Sequence, residues 1–297
     1  MLTTNKHMII RKPWYGRLTD KEDVRDFKFS KEAPLKLPSS VDLRPEMPPV
    51  YNQGWIGSCT SCAGTALVEY ILKRDQKIKA FHPSILATYY WTRKAEGNAH
   101  WDSGATMRGV MKSLAKTGSA HDSLWPYLPK KYLIPPPKKV AQDGIKYRVL
   151  EYRRLNQTLQ ELKTCLALGH PFIFGFWVYE SFEGPEIAET GLMPIPKPDE
   201  QLFGGHAVCC CGFSDEKEAF LIRNSWGIEW GEKGYFWMPY SLVTNKNMAE
   251  DFWAAHSTTW PPPPKPKRKP KLKRKPKLKK RPPSRLRVGG GRRRRRI

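Results

Sequence analysis

Long hydrophobic segments are missing from this sequence. Its longest apolar run, PFIFGFWV at 171–178, is far shorter than the roughly 20 residues that cross a bilayer. The first 20 residues, MLTTNKHMIIRKPWYGRLTD, offer only a short apolar stretch before charges resume, so we expect no secretory signal. The sequence therefore predicts no transmembrane segment, and the 171–178 run is interpreted as a buried strand.

A pattern of cysteines suited to disulfides is also missing. The six cysteines occupy positions 59, 62, 165, 209, 210 and 211. Neighbouring side chains of a strand point to opposite faces, so three adjacent cysteines cannot form a disulfide framework. We therefore expect a reducing, intracellular compartment, cytoplasm or nucleus. Consecutive cysteines near His206 also cannot converge as spaced zinc ligands do, and we expect neither a metal nor another cofactor.

Acidic residues are absent from the C-terminal tail. Residues 261–297 contain 19 Lys and Arg and nine Pro, which leaves 33 basic and 28 acidic residues in 1–260; the net charge of +24 is thus mainly a property of the tail. Such a composition predicts a disordered segment over 259–297. Counterion release favours binding of nucleic acid or another polyanion through residues 265–296, and a merely solubilising extension is the alternative. Because the tail lacks aromatic residues, base stacking is not expected.

The rest of the chain separates helical from strand-like patterns. We predict an N-terminal strap at 1–40 and a folded domain at 41–258, with a helical lobe at about 41–140 and a β lobe at 141–258. Predicted helices cover 57–74, 83–94, 106–116 and 159–168. Predicted strands cover 172–178, 206–213, 220–223 and 235–238. This segregation predicts an α+β fold of two lobes, with an antiparallel, barrel-like β lobe and a cleft between the lobes.

Cys59 is the first candidate for chemistry. It follows a glycine-rich turn and would lie in the first turn of a helix, where unpaired backbone N–H groups favour the thiolate and lower the cysteine pKa. Cys59 and Cys62 also form the C-x-x-C pattern of thiol oxidoreductases. No thioredoxin-like alternation of strands and helices surrounds that pattern, so we interpret Cys62 as a small buried residue.

Three further residues complete a constellation for nucleophilic catalysis. His206 follows two glycines and suits a general base at the edge of a cleft. The carboxamide of Asn224 could orient its ring, and Trp226 could cover that hydrogen bond. Gln53, six residues before Cys59, could donate to a developing oxyanion together with the Cys59 N–H. The expected resting state is a thiolate–imidazolium pair.

These segments resemble the papain and cathepsin family of cysteine proteases. The matching segments, in the family's order and spacing, are NQGWIGSC (52–59), GGHAV (204–208), RNSWG (223–227) and WGEKGY (230–235). The resemblance spans roughly residues 40–240. It implies a papain-like fold and a thiol peptidase with Cys59 as nucleophile, His206 as base and acid, Asn224 as orienting residue and Gln53 as oxyanion donor.

Two positions depart from the family pattern. Ile56 stands where a cysteine is usual, which removes a family disulfide, and Thr60 stands where an aromatic residue is usual. We expect altered activity or specificity beside the thiol, not the loss of activity. The short strap with Arg25-Asp26-Phe27 looks more like bacterial and large-DNA-virus members than like those with a long pro-segment. We therefore expect a monomeric endopeptidase acting on protein or peptide substrates, with association with a virion or import into the nucleus through KPKRKPK as further expectations. A nucleic-acid-binding protein on a protease-like scaffold is the alternative.

Overall fold

The computed structural model describes residues 15–29, 36–76, 78 and 81–258. The helices are α1 (Cys59–Gln76), α2 (Ile85–Ala95), α3 (Met107–Lys116), α4 (Lys138–Gly144), α5 (Leu159–Ala167), α6 (Pro185–Thr190) and α7 (Tyr240–Val243). The strands are β1 (Arg17–Leu18), β2 (Ser40–Asp42), β3 (Ala105–Thr106), β4 (Val149–Arg154), β5 (Phe172–Tyr179), β6 (Leu202–Ser214), β7 (Ala219–Arg223), β8 (Tyr235–Pro239) and β9 (Ala249–Thr258). The predicted basic tail lies outside the described residues.

The helix boundaries follow capping signals in the sequence. Helix α2 begins after Ser84, whose hydroxyl accepts from the Ala87 amide at 3.2 Å. Helix α3 begins after Thr106, whose hydroxyl accepts from the Gly109 amide at 2.9 Å. Both caps satisfy a backbone donor that has no partner within the helix. After α3, Gly118 adopts a φ of 75°, the left-handed conformation that favours glycine just beyond the end of a helix.

The β lobe is a seven-stranded antiparallel sheet. The strand order is β4-β9-β5-β6-β7-β8, and β2 also pairs with β6. All of its pairings are antiparallel, which confirms the predicted α+β fold. Within the described residues the sheet stays open and does not close into a barrel.

Apolar residues cover both faces of this sheet. One face packs against α1 and α3, with Ile173 and Trp253 beside Leu67 in a single buried cluster. The opposite face packs against α5 and a group of phenylalanines. Cys209 and Cys211 belong to the first cluster and Cys210 to the second, so alternation along β6 divides the three thiols between two cores, as the strand interpretation predicted. All six cysteines are free and buried.

A buried ionic network fixes the strap to the body. Asp20, whose side chain is fully buried, accepts from Trp253 Nε1 at 2.9 Å and from Arg154 Nη1 at 3.3 Å. Arg154 also contacts Asp251 at 2.9 Å. Charges taken out of water are tolerated only when they are paired in this way. The strap therefore holds a defined position against β4 and β9.

None of the helices formed by the described residues is long and apolar enough to span a membrane.

Candidate active site

Cys59 is the first residue of α1 and lies at the end of a tight turn. Gly54 opens the turn with a φ of 63°, and the Gly57 amide donates to the Asp102 carboxylate at 3.1 Å. The thiol thus sits at the N-terminus of an 18-residue helix, where the helix dipole favours negative charge. The side chain of Cys59 is 0% exposed.

Burial dominates the electrostatics of this thiol. It raises the pKa of Cys59 to about 11, against the smaller lowering effects of the backbone amides of Ala207, Gly16 and Thr60 and of the charge of Arg17. The predicted lowered pKa is therefore wrong for this conformation. The helix N-terminus does favour the thiolate, but complete desolvation outweighs it.

His206 and Asn224 are adjacent and buried. The Nε2 atom of His206 lies 2.8 Å from Oδ1 of Asn224, and both residues are about 1% exposed. The Trp226 ring lies against the His206 ring, with 5.1 Å between centroids. Burial lowers the pKa of His206 to about 4, although the hydrogen bond that its ring donates to Asn224 opposes this shift. The imidazole is therefore neutral, with Nδ1 left for another partner.

The thiol of Cys59 and the imidazole of His206 share neighbours. The backbone amide of Ala207, one residue after His206, is close enough to the Cys59 thiol to lower its pKa. The ring centroid of Tyr15 lies 6.2 Å from that of His206, and the charge of Cys59 contributes to raising the pKa of Tyr15. Two residues that are 147 positions apart in the sequence thus lie at one place in the fold. Their resting state here is a neutral pair, not the expected thiolate and imidazolium.

Gln53 ties the turn before Cys59 to the loop that carries Asn224. Its Oε1 accepts from the Ser225 hydroxyl at 2.6 Å, and its backbone amide donates to the Ser225 carbonyl at 2.8 Å. Its Nε2 donates to the carbonyl of Ile56 at 3.1 Å. The carboxamide is fully buried and held from both ends. Its amide nitrogen is therefore fixed on the turn that leads to the thiol.

The two departures from the family pattern are both buried. Ile56 is 0% exposed and packs with Leu86 and Tyr89. Thr60 is fully buried, and its hydroxyl has no hydrogen-bond partner among the described residues. Thr60 therefore adds a polar but unsatisfied group behind the thiol.

A segment of the strap occupies the groove over this site, which the sequence did not predict. The ring of Tyr15 packs against His206 and lies 6.5 Å from Trp226, and its hydroxyl donates to Glu183. After Gly16, residues Arg17 and Leu18 form β1, which pairs in parallel with β3 of the helical lobe. Tyr15 follows Trp14, and this aromatic pair in a mostly polar, charged segment is the sequence signal that could have indicated packing on the body.

Glycines allow the strap to approach this closely. A Cβ atom added to Gly16 would lie 2.2 Å from the carbonyl oxygen of Gly57, and one added to Gly104 would lie 1.8 Å from the carbonyl oxygen of Gly16. No larger residue fits at either position without movement of the backbone. The strap is thus wedged between the turn before Cys59 and the strand of the helical lobe.

The described residues contain no group of three or more His, Cys, Asp or Glu side chains placed to hold a metal ion.

Comparison with known proteins agrees with this geometry. The model of the papain family of cysteine proteases matches residues 37–255. An uncharacterised peptidase C1-like protein of Acanthamoeba polyphaga mimivirus is 34% identical over 82% of this chain and 82% of its own length. Xylellain, a cysteine protease from Xylella fastidiosa, is 40% identical, with a TM-score of 0.76 over 82% of this chain and 96% of its own. A digestive procathepsin L of Tenebrio molitor, at 20% identity and a TM-score of 0.61 over 83% of this chain and 76% of its own, shares the fold. This chain belongs to the papain family and is a cysteine peptidase.

Proposed function

We propose that this chain is an endopeptidase in which Cys59 is the nucleophile, His206 the general base and acid, Asn224 the orienting residue and Gln53 an oxyanion donor. The observation that supports it best is the buried contact between His206 Nε2 and Asn224 Oδ1 at 2.8 Å. The backbone amide of Ala207, the next residue after His206, is also close enough to lower the pKa of the Cys59 thiol. The contact with Asn224 leaves Nδ1 as the nitrogen available for proton exchange with the thiol.

The steps follow from these positions. With the groove open, His206 takes the proton of Cys59, and the thiolate attacks the peptide carbonyl carbon. The resulting oxyanion accepts from the Cys59 N–H and from Gln53 Nε2, which exchanges its bond to the Ile56 carbonyl for one to the substrate. His206 protonates the leaving amine as the C–N bond breaks. Water then attacks the thioester with His206 as base, releasing the acid and restoring the thiol.

The covered conformation is a latent form in this scheme. The strap approaches the turn before the thiol so closely that a Cβ atom added to Gly16 would lie 2.2 Å from the Gly57 carbonyl oxygen. The strap therefore excludes a substrate from the groove. Activity requires residues 15–18 to leave.

The experiment compares cysteines one helical turn apart. Wild type, Cys59→Ala and Cys62→Ala are assayed under reducing conditions with casein and a fluorogenic dipeptidyl substrate, each also carrying Gly16→Ala to loosen the strap. We expect turnover to be lost in Cys59→Ala and retained in Cys62→Ala, since Cys62 lies one turn further along α1 and takes no part in the proposed steps. An epoxysuccinyl inhibitor should label residue 59 by mass spectrometry. Equal turnover by wild type and Cys59→Ala would refute the assignment.

A second function is supported by the composition of the tail. The 19 basic and no acidic residues of 261–297 favour polyanion binding through residues 265–296 by counterion release. Deleting 261–297 should abolish salt-sensitive retention on DNA or RNA and leave peptide turnover unchanged. Retention by the deleted protein at low salt would show that the tail is not the binder.

Three further expectations complete the proposal. The six free thiols favour a reducing, intracellular setting. The viral relative favours association with a virion, and we expect a monomer. Gel filtration with light scattering tests the last of these.

A further inference from the structure

An aspartate of the helical lobe, Asp102, contacts the turn that leads to the thiol. Its two carboxylate oxygens accept from the Gly57 amide at 3.2 and 3.1 Å. The Gly57 N–H belongs to the same peptide unit as the Ile56 carbonyl, which accepts from Gln53 Nε2 at 3.1 Å. Asp102 thus binds one side of this peptide unit, and the proposed oxyanion donor binds the other.

The peptide unit between Ile56 and Gly57 transmits this contact because it is planar. Its partial double bond keeps the N–H and the C=O in one plane, pointing in opposite directions in the usual trans form. A bond that fixes the direction of the N–H therefore also fixes the direction of the carbonyl. That carbonyl also accepts from the Ser58 amide at 2.8 Å, and Ser58 directly precedes Cys59. The carboxamide of Gln53 and the start of α1 both depend on the direction of this one peptide unit.

The carboxylate of Asp102 is itself oriented by Tyr89. The Tyr89 hydroxyl donates to Oδ1 of Asp102 and accepts from the Gly104 amide at 3.1 Å. Tyr89 is 0% exposed and belongs to the same buried cluster as Ile56. A buried hydroxyl with both an acceptor and a donor partner has a defined direction. Tyr89 therefore fixes the carboxylate on the side from which it meets the turn.

The charge of Asp102 is balanced by a buried arginine. The guanidinium carbon of Arg93 lies 4.1 Å from the centroid of the Tyr89 ring. Its Nη1 donates at 2.6 Å to the carbonyl of Trp101, the residue before Asp102. Burial lowers the pKa of Arg93, and the charges of Tyr89 and Asp102 oppose that shift. A carboxylate without a nearby cation would oppose the negative charge that forms in an oxyanion hole, so Arg93 allows an acidic side chain to serve at this position.

We propose that Asp102 is a positioning residue that holds the two oxyanion donors of the groove in place through the Ile56–Gly57 peptide. The inference rests on the proposed peptidase function and adds a residue to it. Because Asp102 acts through Gln53 Nε2 and the Cys59 N–H, its loss should slow the step that forms the oxyanion and leave the reactivity of the thiol as it is. The competing interpretation is that Asp102 only stabilises the fold, which gives no reason for these two properties to separate.

The test compares two reactions of the same thiol. Peptide hydrolysis passes through an oxyanion, whereas iodoacetamide alkylates Cys59 by loss of iodide from a saturated carbon and forms none. The full-length Gly16→Ala protein is the reference. Its kcat is measured at saturating fluorogenic peptide, and the rate constant of Cys59 alkylation is measured by mass spectrometry. For Asp102→Ala in this background we expect kcat to fall about 10- to 100-fold, with little change in KM and no fall in the alkylation rate constant.

Two further variants and a control accompany this comparison. Asp102→Asn keeps an oxygen that can accept from the Gly57 amide, and its kcat should recover to within about fivefold of the reference. Tyr89→Phe keeps the buried ring and removes the hydroxyl that orients the carboxylate, so its kcat should fall without a fall in the alkylation rate constant. Asp199→Ala, at an exposed carboxylate, should match the reference in both reactions.

The outcomes distinguish the positioning role from the peptidase function. If kcat in Asp102→Ala falls no more than the alkylation rate constant does, the positioning role is overturned and the peptidase function stands. The same comparison on Tyr89→Phe decides if Asp102→Ala does not fold. A kcat for Asp102→Asn as low as that for Asp102→Ala also overturns the role. No turnover by the Gly16→Ala reference, while its Cys59 is still alkylated, overturns the proposed function and the positioning role with it.

Discussion

The thiol of Cys59 and the ring of His206 are both held neutral beneath the strap. Burial raises the pKa of Cys59 to about 11 and lowers that of His206 to about 4, so each group avoids a charge in a place without water. Departure of Tyr15 and Gly16 would restore water and remove the main cause of both shifts. The reactive ion pair is thus expected to form only in the open groove.

Asn224 provides a test of how His206 is oriented. In Asn224→Ala the Nε2 atom loses its 2.8 Å partner, so the ring no longer has a fixed tautomer or direction. We expect kcat to fall by about 10²-fold with little change in KM, because the lost effect acts on proton transfer.

The control for this prediction is Asn247→Ala, an exposed asparagine, which should have wild-type kinetics. An unchanged kcat in Asn224→Ala, with an unchanged melting temperature, would contradict the orienting role.

At the scale of elements, the sequence predicted the main helices and strands but not that the strap lies over the active-site groove. The predicted helices at 57–74, 83–94, 106–116 and 159–168 are confirmed to within about two residues at nearly every end, because apolar periodicity and caps are local signals. The four predicted strands are also confirmed. Strands β4 and β9 were missed, since VLEYRR and AEDFWAAHST mix charged and apolar residues and become strands through their pairing with each other.

Gly16→Ala should release the strap. The added Cβ would lie 2.2 Å from the Gly57 carbonyl oxygen, and overpacking of this kind costs about 1–3 kcal/mol. We therefore expect Cys59 to be alkylated by iodoacetamide about tenfold faster or more at pH 8, as followed by mass spectrometry. In Leu18→Ala, which changes an exposed side chain of β1, Cys59 should be alkylated at the wild-type rate. Equal alkylation rates in wild type, Gly16→Ala and Leu18→Ala would contradict a strap that covers Cys59.

The raised pKa of Asp251 predicts that the buried ionic network holding the strap to the body contributes to stability in a pH-dependent way. Burial first, and the charge of Asp20 second, raises the pKa of Asp251 from 3.8 to about 6. A raised pKa means that the protonated carboxyl stabilises the fold fully below about pH 4, and that this contribution is lost as the pH rises through about 6. The substitution Asp251→Asn removes this titratable carboxyl, and asparagine tolerates the left-handed backbone conformation of this position, where φ is 62°.

The expected result is a change in the stability difference between the two proteins. The free energy of unfolding of Asp251→Asn, relative to wild type, should rise by on the order of 2–3 kcal/mol between pH 4 and pH 7. Urea unfolding at intervals of one pH unit measures it, and the contribution of His206 cancels because both proteins contain it. The free energy of unfolding of Asp199→Asn, which alters an exposed carboxylate, should change with pH as that of wild type does. The same pH dependence for Asp251→Asn would refute the titration of Asp251.

At the scale of the whole molecule, Trp253 joins the strap, the helical lobe and the sheet. Its Nε1 donates to Asp20 of the strap at 2.9 Å, and the guanidinium carbons of Arg108 and Arg154 lie 5.7 and 5.5 Å from its ring. Trp253 is itself 1% exposed. Loss of the Trp253 ring should therefore destabilise the packing of the strap, the helical lobe and the sheet together.

Trp253→Phe should lower the free energy of unfolding by about 2–4 kcal/mol, because it creates a cavity and leaves a buried carboxylate with one donor fewer. Urea unfolding followed by circular dichroism measures the change. Trp101→Phe, at a half-exposed ring, should cost less than about 0.5 kcal/mol. A loss for Trp253→Phe as small as that of the control would mean that the three parts are not coupled through this ring.

The sequence by itself determined the α+β fold and the main helices and strands, and it pointed to the residues of the proposed site, because periodicity, caps and ordered motifs are properties of neighbouring residues. Only the tertiary structure decided that the strap enters the groove and that the thiol and imidazole are neutral there. Those facts depend on how closely backbones approach at Gly16 and Gly104, and on the water that this approach excludes. Desolvation and contact between distant residues are set by packing in three dimensions, which no local pattern contains.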